Sequence, residues 1–177
     1  MINEIIRLTP YEDATLTPIC ISNYGDLKQT PRRAVIVCPG GGYGMLSERE
    51  AEPIATQFLA AGFQTFILRY TVGEGAKDFQ PLRQAALAIR YVRDNAEKYN
   101  IDPNYLFVCG FSAGGHLAGY IATCWHRSDI SEILGMESTL FRPDAAILGY
   151  PVVTNNVPTH DGSCNALLGD DRTPELN

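Results

Sequence analysis

The serine in the clearest chemical context is Ser112, in the run GFSAG at 110–114. This run has the pattern Gly-x-Ser-x-Gly, follows an apolar stretch at 105–109 and precedes a stretch of helical composition. Between a strand and a helix, the pattern makes a turn so tight that the serine is held strained, with its hydroxyl above the sheet edge. Ser112 is therefore a candidate nucleophile, and the alternative is an N-cap serine at a glycine-rich helix start.

A second glycine-rich turn, PGGGY at 39–43, follows the apolar stretch 33–38. Consecutive glycines let main-chain N–H groups approach a ligand without obstruction by side chains. Acyl transfer needs such donors at the oxyanion of its tetrahedral intermediate, beside the N–H of the residue after the nucleophile, here Ala113. Phosphate binding is excluded, because 40–45 lacks the last glycine of Gly-x-Gly-x-x-Gly and no Gly-Lys-Ser/Thr follows. A plain structural turn is the alternative.

Apolar runs that alternate with helical patterns predict the elements that position these two turns. The predicted strands are 5–8, 16–22 (interrupted at Pro18), 33–38, 64–70, 105–109 and 145–153. The predicted helices are 48–61, 81–99 and 113–125. Near-continuous apolar strands separated by helices imply an α/β fold of three layers, with a mostly parallel sheet covered on both faces. Both glycine-rich turns then follow the carboxyl ends of strands, where such sheets bind ligands.

The composition indicates one soluble globular domain over residues 1–177, with 45% hydrophobic and 19% charged residues. A net charge of −6 leaves no basic face for nucleic acid or an anionic membrane, and no apolar run approaches the roughly 20 residues of a membrane span. Five cysteines without a close pair predict reduced, mostly buried thiols in a cytoplasmic protein, and no metal or organic cofactor is expected. No secretory signal is visible, and export with the signal peptide absent from this sequence is the alternative.

With these motifs the chain resembles the α/β-hydrolases, and among them the bacterial carboxylesterases described as acetyl esterases or acetyl-xylan-esterase-like. The matching stretches are PGGGY at 39–43, REAEPIA at 49–55, IRYVRDNAEKYNIDP at 89–103, GFSAGGHLAG at 110–119, GYPVVT at 149–154 and DGSCNALLG at 161–169. The resemblance implies that Ser112 is the nucleophile, that the Gly41, Gly42 and Ala113 amides form the oxyanion hole, and that the substrate is a small-molecule ester. Pro39 stands where a related lipase branch has the leading histidine of HGGG.

The order of the catalytic residues in this fold sets a further expectation. Ser comes first, then Asp or Glu after the seventh strand, then His after the eighth. Since six strands are predicted, the resemblance implies that the acid and the base lie beyond residue 177. The chain is accordingly expected to be the N-terminal portion of the fold, truncated before its last two strands. A sheet without them would expose an unpaired edge and apolar packing surface.

Three histidines lie within the chain. His116, one helical turn beyond the serine, is interpreted as a packing residue, and His126 as a surface residue. His160 is the histidine that satisfies the order Ser–acid–His, with Asp144 or Glu137 as the acid, and it is the candidate base within the chain.

The expected function is hydrolysis of acetyl and other small acyl esters, including esters of carbohydrates. A small acyl group is favoured because the first 33 residues are predicted as strands and not as the helical cap of related lipases. The alternatives are a truncated, non-catalytic remnant of the fold and a peptidase or amidase with the same nucleophile. The acidic run at 48–50 is interpreted as a solvated helix face or a local ion pair.

Overall fold

A six-stranded mixed sheet organises the part of the chain that the computed structural model describes, which is residues 4–22, 30–153 and 161–168. The strands are β1 (Ile6–Leu8), β2 (Tyr11–Ile19), β3 (Arg32–Cys38), β4 (Gln64–Arg69), β5 (Ile101–Phe111) and β6 (Ala145–Gly149). Their order across the sheet is β1-β2-β4-β3-β5-β6. The strands β4, β3, β5 and β6 run parallel, whereas β1 and β2 pair antiparallel at one side. The mostly parallel sheet predicted from the sequence is confirmed.

The strand β2 is longer than predicted and contains a proline. It begins at Tyr11, and Pro18 lies opposite Phe66 of β4. The partners of β1 on β2 reach from Tyr11 to Leu16, so among the described residues β2 has a sheet neighbour on one side alone at Pro18. A strand tolerates proline at such an edge position, because the missing N–H breaks no ladder hydrogen bond.

Six α-helices lie in the described part of the chain. They are α1 (Glu52–Ala60), α2 (Gln80–Asp94), α3 (Ala96–Tyr99), α4 (Ala113–Cys124), α5 (Ser128–Leu134) and α6 (Asp161–Leu168). The helix predicted at 48–61 begins as a 3-10 turn, Glu48–Glu50, and the helix predicted at 81–99 is divided at Asn95. None of the described helices is long and apolar enough to cross a membrane.

The helices cover both faces of the sheet. Successive residues of a strand point to opposite faces, so the strand side chains that each helix contacts show which face it covers. On one face, α1 packs through Ala55 against Val37 and Ile67. On the other face, α2 and α4 pack against side chains that include Ile36 and Phe66. The result is the predicted three-layer α/β arrangement.

The strand β6 forms one edge of the described sheet and carries exposed apolar side chains. Ile147 and Leu148 are each 43% exposed, and Val153 just beyond the strand is 77% exposed. Within the described residues, this edge therefore presents apolar side chains to solvent.

Three of the five cysteines are buried, as predicted: Cys20, Cys38 and Cys109. Burial raises the pKa of Cys20 to about 12 and that of Cys109 to about 11, because the thiolate would lose its hydration. Cys124 and Cys164 are partly exposed.

Candidate active site

Ser112 lies on the turn between β5 and α4, at the carboxyl end of a central strand. Its backbone angles are φ 51° and ψ −118°, which a residue with a side chain rarely adopts. The backbone N–H of Ser112 donates to Gly149 O at 3.0 Å, and its carbonyl accepts from His116 N at 2.9 Å and Val152 N at 3.2 Å. These bonds hold the residue in a conformation that costs roughly 1–3 kcal/mol.

The glycines on either side of the serine permit the tight turn. A Cβ on Gly110 would overlap the carbonyl oxygen of Gly114. A Cβ on Gly114 would overlap the carbonyl oxygen of Cys38 at the end of β3 and lie 2.7 Å from Pro39 C. Glycine at these two positions therefore lets the helix start approach the ends of both strands.

The glycine run after β3 lies directly beside the serine. A Cβ on Gly40 would be 2.5 Å from Phe111 O and 3.0 Å from Ser112 Cβ. Gly41 and Gly42 have positive φ angles of 131° and 64°, which turn the chain sharply at this point. The two glycine-rich turns singled out in the sequence are thus brought together.

The hydrogen bonds of the glycine run orient its amides. Gly40 O accepts from Ser47 N at 2.9 Å, and Gly41 O accepts from Gly44 N and Met45 N, each at 3.1 Å. In a trans peptide the N–H points opposite to the carbonyl oxygen, so the N–H groups of Gly41 and Gly42 point away from the segment 44–47. The N–H of Ala113, at the first position of α4, has no intrahelical acceptor.

His116 faces the interior of the protein. Its Nδ1 lies 2.8 Å from the hydroxyl of Tyr43, and its ring packs between those of Tyr43 and Tyr120 at centroid distances of 5.9 and 5.7 Å. Burial lowers the pKa of His116, because the imidazolium would lose its hydration. The packing interpretation of His116 agrees with these contacts, and the interpretation of His126 agrees with its exposed position.

Asp144 is placed differently from what a catalytic acid requires. It precedes β6, and its Oδ2 accepts hydrogen bonds from Leu106 N at 2.8 Å and from Arg93 Nη2 at 3.0 Å. Ser112 lies six residues beyond Leu106, roughly 20 Å along the strand direction. Asp144 as a catalytic acid is therefore a wrong expectation, and its carboxylate instead ties the amino end of β6 to α2.

Two further residues belong to the predicted Ser–acid–His order, Glu137 and His160. Glu137 is exposed before the 3-10 turn Ser138–Phe141, which leads into the same amino end of β6. His160 lies outside the described residues. Within the described residues no group of three His, Cys, Asp or Glu side chains could hold a metal ion.

The contacts of Glu50 at the site were not predicted from the sequence. Its Oε2 accepts from Gly40 N at 2.7 Å, and its Oε1 accepts from the Tyr150 hydroxyl at 2.7 Å. Its neighbour Glu48 forms an ion pair with Arg69, at 3.1 Å and 21 residues further along the chain. The one signal for Glu50 in the sequence is its place in the REAEPIA stretch of the family resemblance.

Known proteins share this fold. MGS-M1, an α/β-hydrolase from a Medee basin deep-sea metagenome library, is 37% identical with a TM-score of 0.75, over 90% of this chain and 60% of that one. The acetyl ester-xyloside bifunctional hydrolase from Caldicellulosiruptor lactoaceticus is 33% identical with a TM-score of 0.80, over 98% of this chain and 66% of that one. The acetylxylan esterase of Xylanibacter ruminicola is 35% identical over 148 residues, which are 81% of this chain and 28% of that protein.

The sheet order, the strained serine turn and these similarities define the class: this protein is an α/β-hydrolase. The model of the family BD-FAE matches residues 24–151, and the chain belongs to that family. The chain spans 23% and 28% of the length of two curated relatives that it matches, and no more than two thirds of these two solved ones.

Proposed function

We propose that the protein is a serine carboxylesterase that removes small acyl groups, acetyl above all, from carbohydrate esters. The observation that carries the proposal is the strained Ser112 turn packed against the glycine run at Gly40. A serine held above the carboxyl edge of a parallel sheet is exposed to a substrate at the place where such sheets bind ligands.

In this proposal the Ser112 hydroxyl attacks the ester carbonyl carbon. A general base takes the hydroxyl proton and passes it to the departing alcohol oxygen, which leaves an acyl group on Ser112. Water then attacks the acyl-enzyme, and the acid and free serine are released. His160 is the base candidate within the chain, and it lies outside the described residues.

The oxyanion of the tetrahedral intermediate would be held by main-chain amides. The N–H of Ala113 starts α4, where the helix dipole favours negative charge. The segment 44–47 donates hydrogen bonds to the carbonyls of Gly40 and Gly41. The N–H groups of Gly41 and Gly42, in the same peptide units, therefore point away from that segment. Donors of this kind each contribute about 3–4 kcal/mol to transition-state stabilisation.

The substrate class rests on the relatives. One is described as an acetylxylan esterase, and another as an acetyl ester-xyloside bifunctional hydrolase. An exposed aromatic ring beside the serine supports a sugar ester. Tyr150 is 67% exposed, and its ring centroid lies 5.7 Å from that of Phe111, the residue before Ser112.

The test is hydrolysis of a chromogenic acetate ester and of acetylated xylo-oligosaccharides by this chain and by its Ser112→Ala variant. Turnover by the parent chain and its loss in the variant would support the proposal. A His160→Ala variant that keeps full turnover would place the base elsewhere. A folded parent chain that hydrolyses neither substrate would favour a non-catalytic remnant, and faster cleavage of a matched amide would favour an amidase.

A further inference from the structure

The carboxylate of Glu50 joins two segments that flank Ser112. One segment is the glycine run after β3, and the other is the turn after β6. Glu50 comes from the 3-10 turn Glu48–Glu50, which precedes α1, and it is partly buried. A single side chain therefore touches the loops that follow two different strands of the sheet.

The bond to the glycine run is strong and local to the serine. A carboxylate that accepts from an N–H forms a charge-assisted hydrogen bond, and this one is 2.7 Å long. Gly40 is also bound through its carbonyl to Ser47 N at 2.9 Å. The residue is thus held at both its N–H and its carbonyl, and the carbonyl bond sets the direction of the Gly41 N–H.

The second carboxylate oxygen holds Tyr150. This tyrosine has a φ of 37°, although it has a side chain, and it follows β6 at the level of the serine. Glu50 raises the pKa of Tyr150, because the bonded phenol would become an anion beside a carboxylate. A strained residue persists only where its surroundings hold it. The Tyr150 side chain contacts Glu50 and the Phe111 ring, and backbone hydrogen bonds of Gly149 and Val152 to Ser112 flank its backbone.

We propose that Glu50 is a positioning residue of the active site. It fixes the glycine run, so that the Gly41 and Gly42 amides meet the oxyanion, and it sets the ring of Tyr150 at the rim of the same site. This role rests on the proposed esterase function. The glycines supply no side-chain packing of their own, so without Glu50 the run has one fewer anchor at the residue nearest Ser112.

The first test is kinetic, with Glu50→Ala and Glu50→Gln. Misplaced donors lower kcat of Glu50→Ala by about 10- to 100-fold, with KM within about twofold of the parent value. The affinity for a phenylboronic acid, which forms a tetrahedral adduct with the serine, falls by the same factor. Glu50→Gln recovers most of the loss, since its amide oxygen accepts from Gly40 N and its amide nitrogen donates to the Tyr150 hydroxyl.

The second test does not need turnover. Hydrogen–deuterium exchange of peptides that cover 39–43 is faster in Glu50→Ala than in the parent chain if Glu50 holds the glycine run. The matched control is Glu48→Ala, which removes another carboxylate of the same 3-10 turn. The Glu48 carboxylate contacts Arg69 and not the glycine run. This control leaves the exchange of 39–43 unchanged.

The outcomes separate this inference from the function on which it rests. An active Ser112→Ala variant would refute the esterase proposal, whereas the exchange result still decides whether Glu50 holds the run. An inactive Ser112→Ala variant beside a Glu50→Ala variant with parental kcat and boronic acid affinity would overturn the positioning role alone. Unchanged exchange of 39–43 in Glu50→Ala would also overturn it, whether or not the parent chain hydrolyses esters.

Discussion

The substitution Gly114→Ala tests how closely α4 approaches the end of β3. The added Cβ would overlap the carbonyl oxygens of Cys38 and Pro39 and lie 2.7 Å from Pro39 C. All of these are backbone atoms, which cannot rotate away, so the cost lies near the upper end of overpacking, about 3 kcal/mol. Alanine regains about 1 kcal/mol of helix propensity. We expect the free energy of unfolding to fall by about 2 kcal/mol and Tm by about 4–8 °C.

The matched control is Gly119→Ala, in the same helix. There the added Cβ would lie 3.4 Å from Leu148 Cδ1 and 3.8 Å from Leu148 Cδ2, which is ordinary contact with a half-exposed side chain. This variant keeps the propensity gain without a clash, so it is expected to be more stable than the parent by up to about 1 kcal/mol. The two variants should therefore differ by about 3 kcal/mol.

Urea unfolding, followed by the fluorescence of the single tryptophan Trp125 just beyond α4, measures both free energies. Linear extrapolation also yields the m-value, which shows whether the native surface buried on folding has changed. A Gly114→Ala variant within about 0.5 kcal/mol of the parent, with an unchanged m-value, would refute the close contact between α4 and β3.

Three further predictions concern Ser112, His116 and Asp144. Ser112→Gly is expected to unfold with a free energy about 1 kcal/mol above that of Ser112→Ala, because glycine relieves the positive φ but loses more chain entropy; equal values in urea unfolding would argue against backbone strain. Burial lowers the pKa of His116 in the folded protein below its ordinary 6.5. As the pH falls through 6.5, His116 therefore binds a proton in the unfolded chain before it does so in the folded one. The free energy of unfolding should then decrease as the pH falls from about 7.5 to about 5.5, and it should decrease less in His116→Gln; identical pH dependence in the two proteins would contradict this. Asp144→Asn removes the ion pair with Arg93 but keeps an acceptor for Leu106 N, so it should cost about 1–3 kcal/mol of stability. Its kcat/KM for the acetate ester, per folded protein, should match that of the parent chain.

Several elements missed by sequence reasoning are short or irregular. The helices α5 and α6 have seven and eight residues, too few for a clear apolar period. The strand β2 continues through Pro18 because of its place at the side of the sheet, which a local pattern does not contain. By contrast, the apolar runs of β3 and β4 are buried on both faces and were predicted at nearly their observed places, whereas β5 begins four residues before its predicted start.

The features of the candidate site also fall into those that the local sequence determines and those that depend on tertiary contacts. The sequence by itself determined that a serine and a glycine run each follow a buried strand, because the spacing of glycines and the apolar runs beside them are local properties. Tertiary structure alone decided that Glu50 meets Tyr150, 100 residues later, and that Asp144 binds Arg93 at the far end of the sheet. The order β3-β5-β6 places the loops after these parallel strands side by side, and that order arises from packing between segments far apart in the chain.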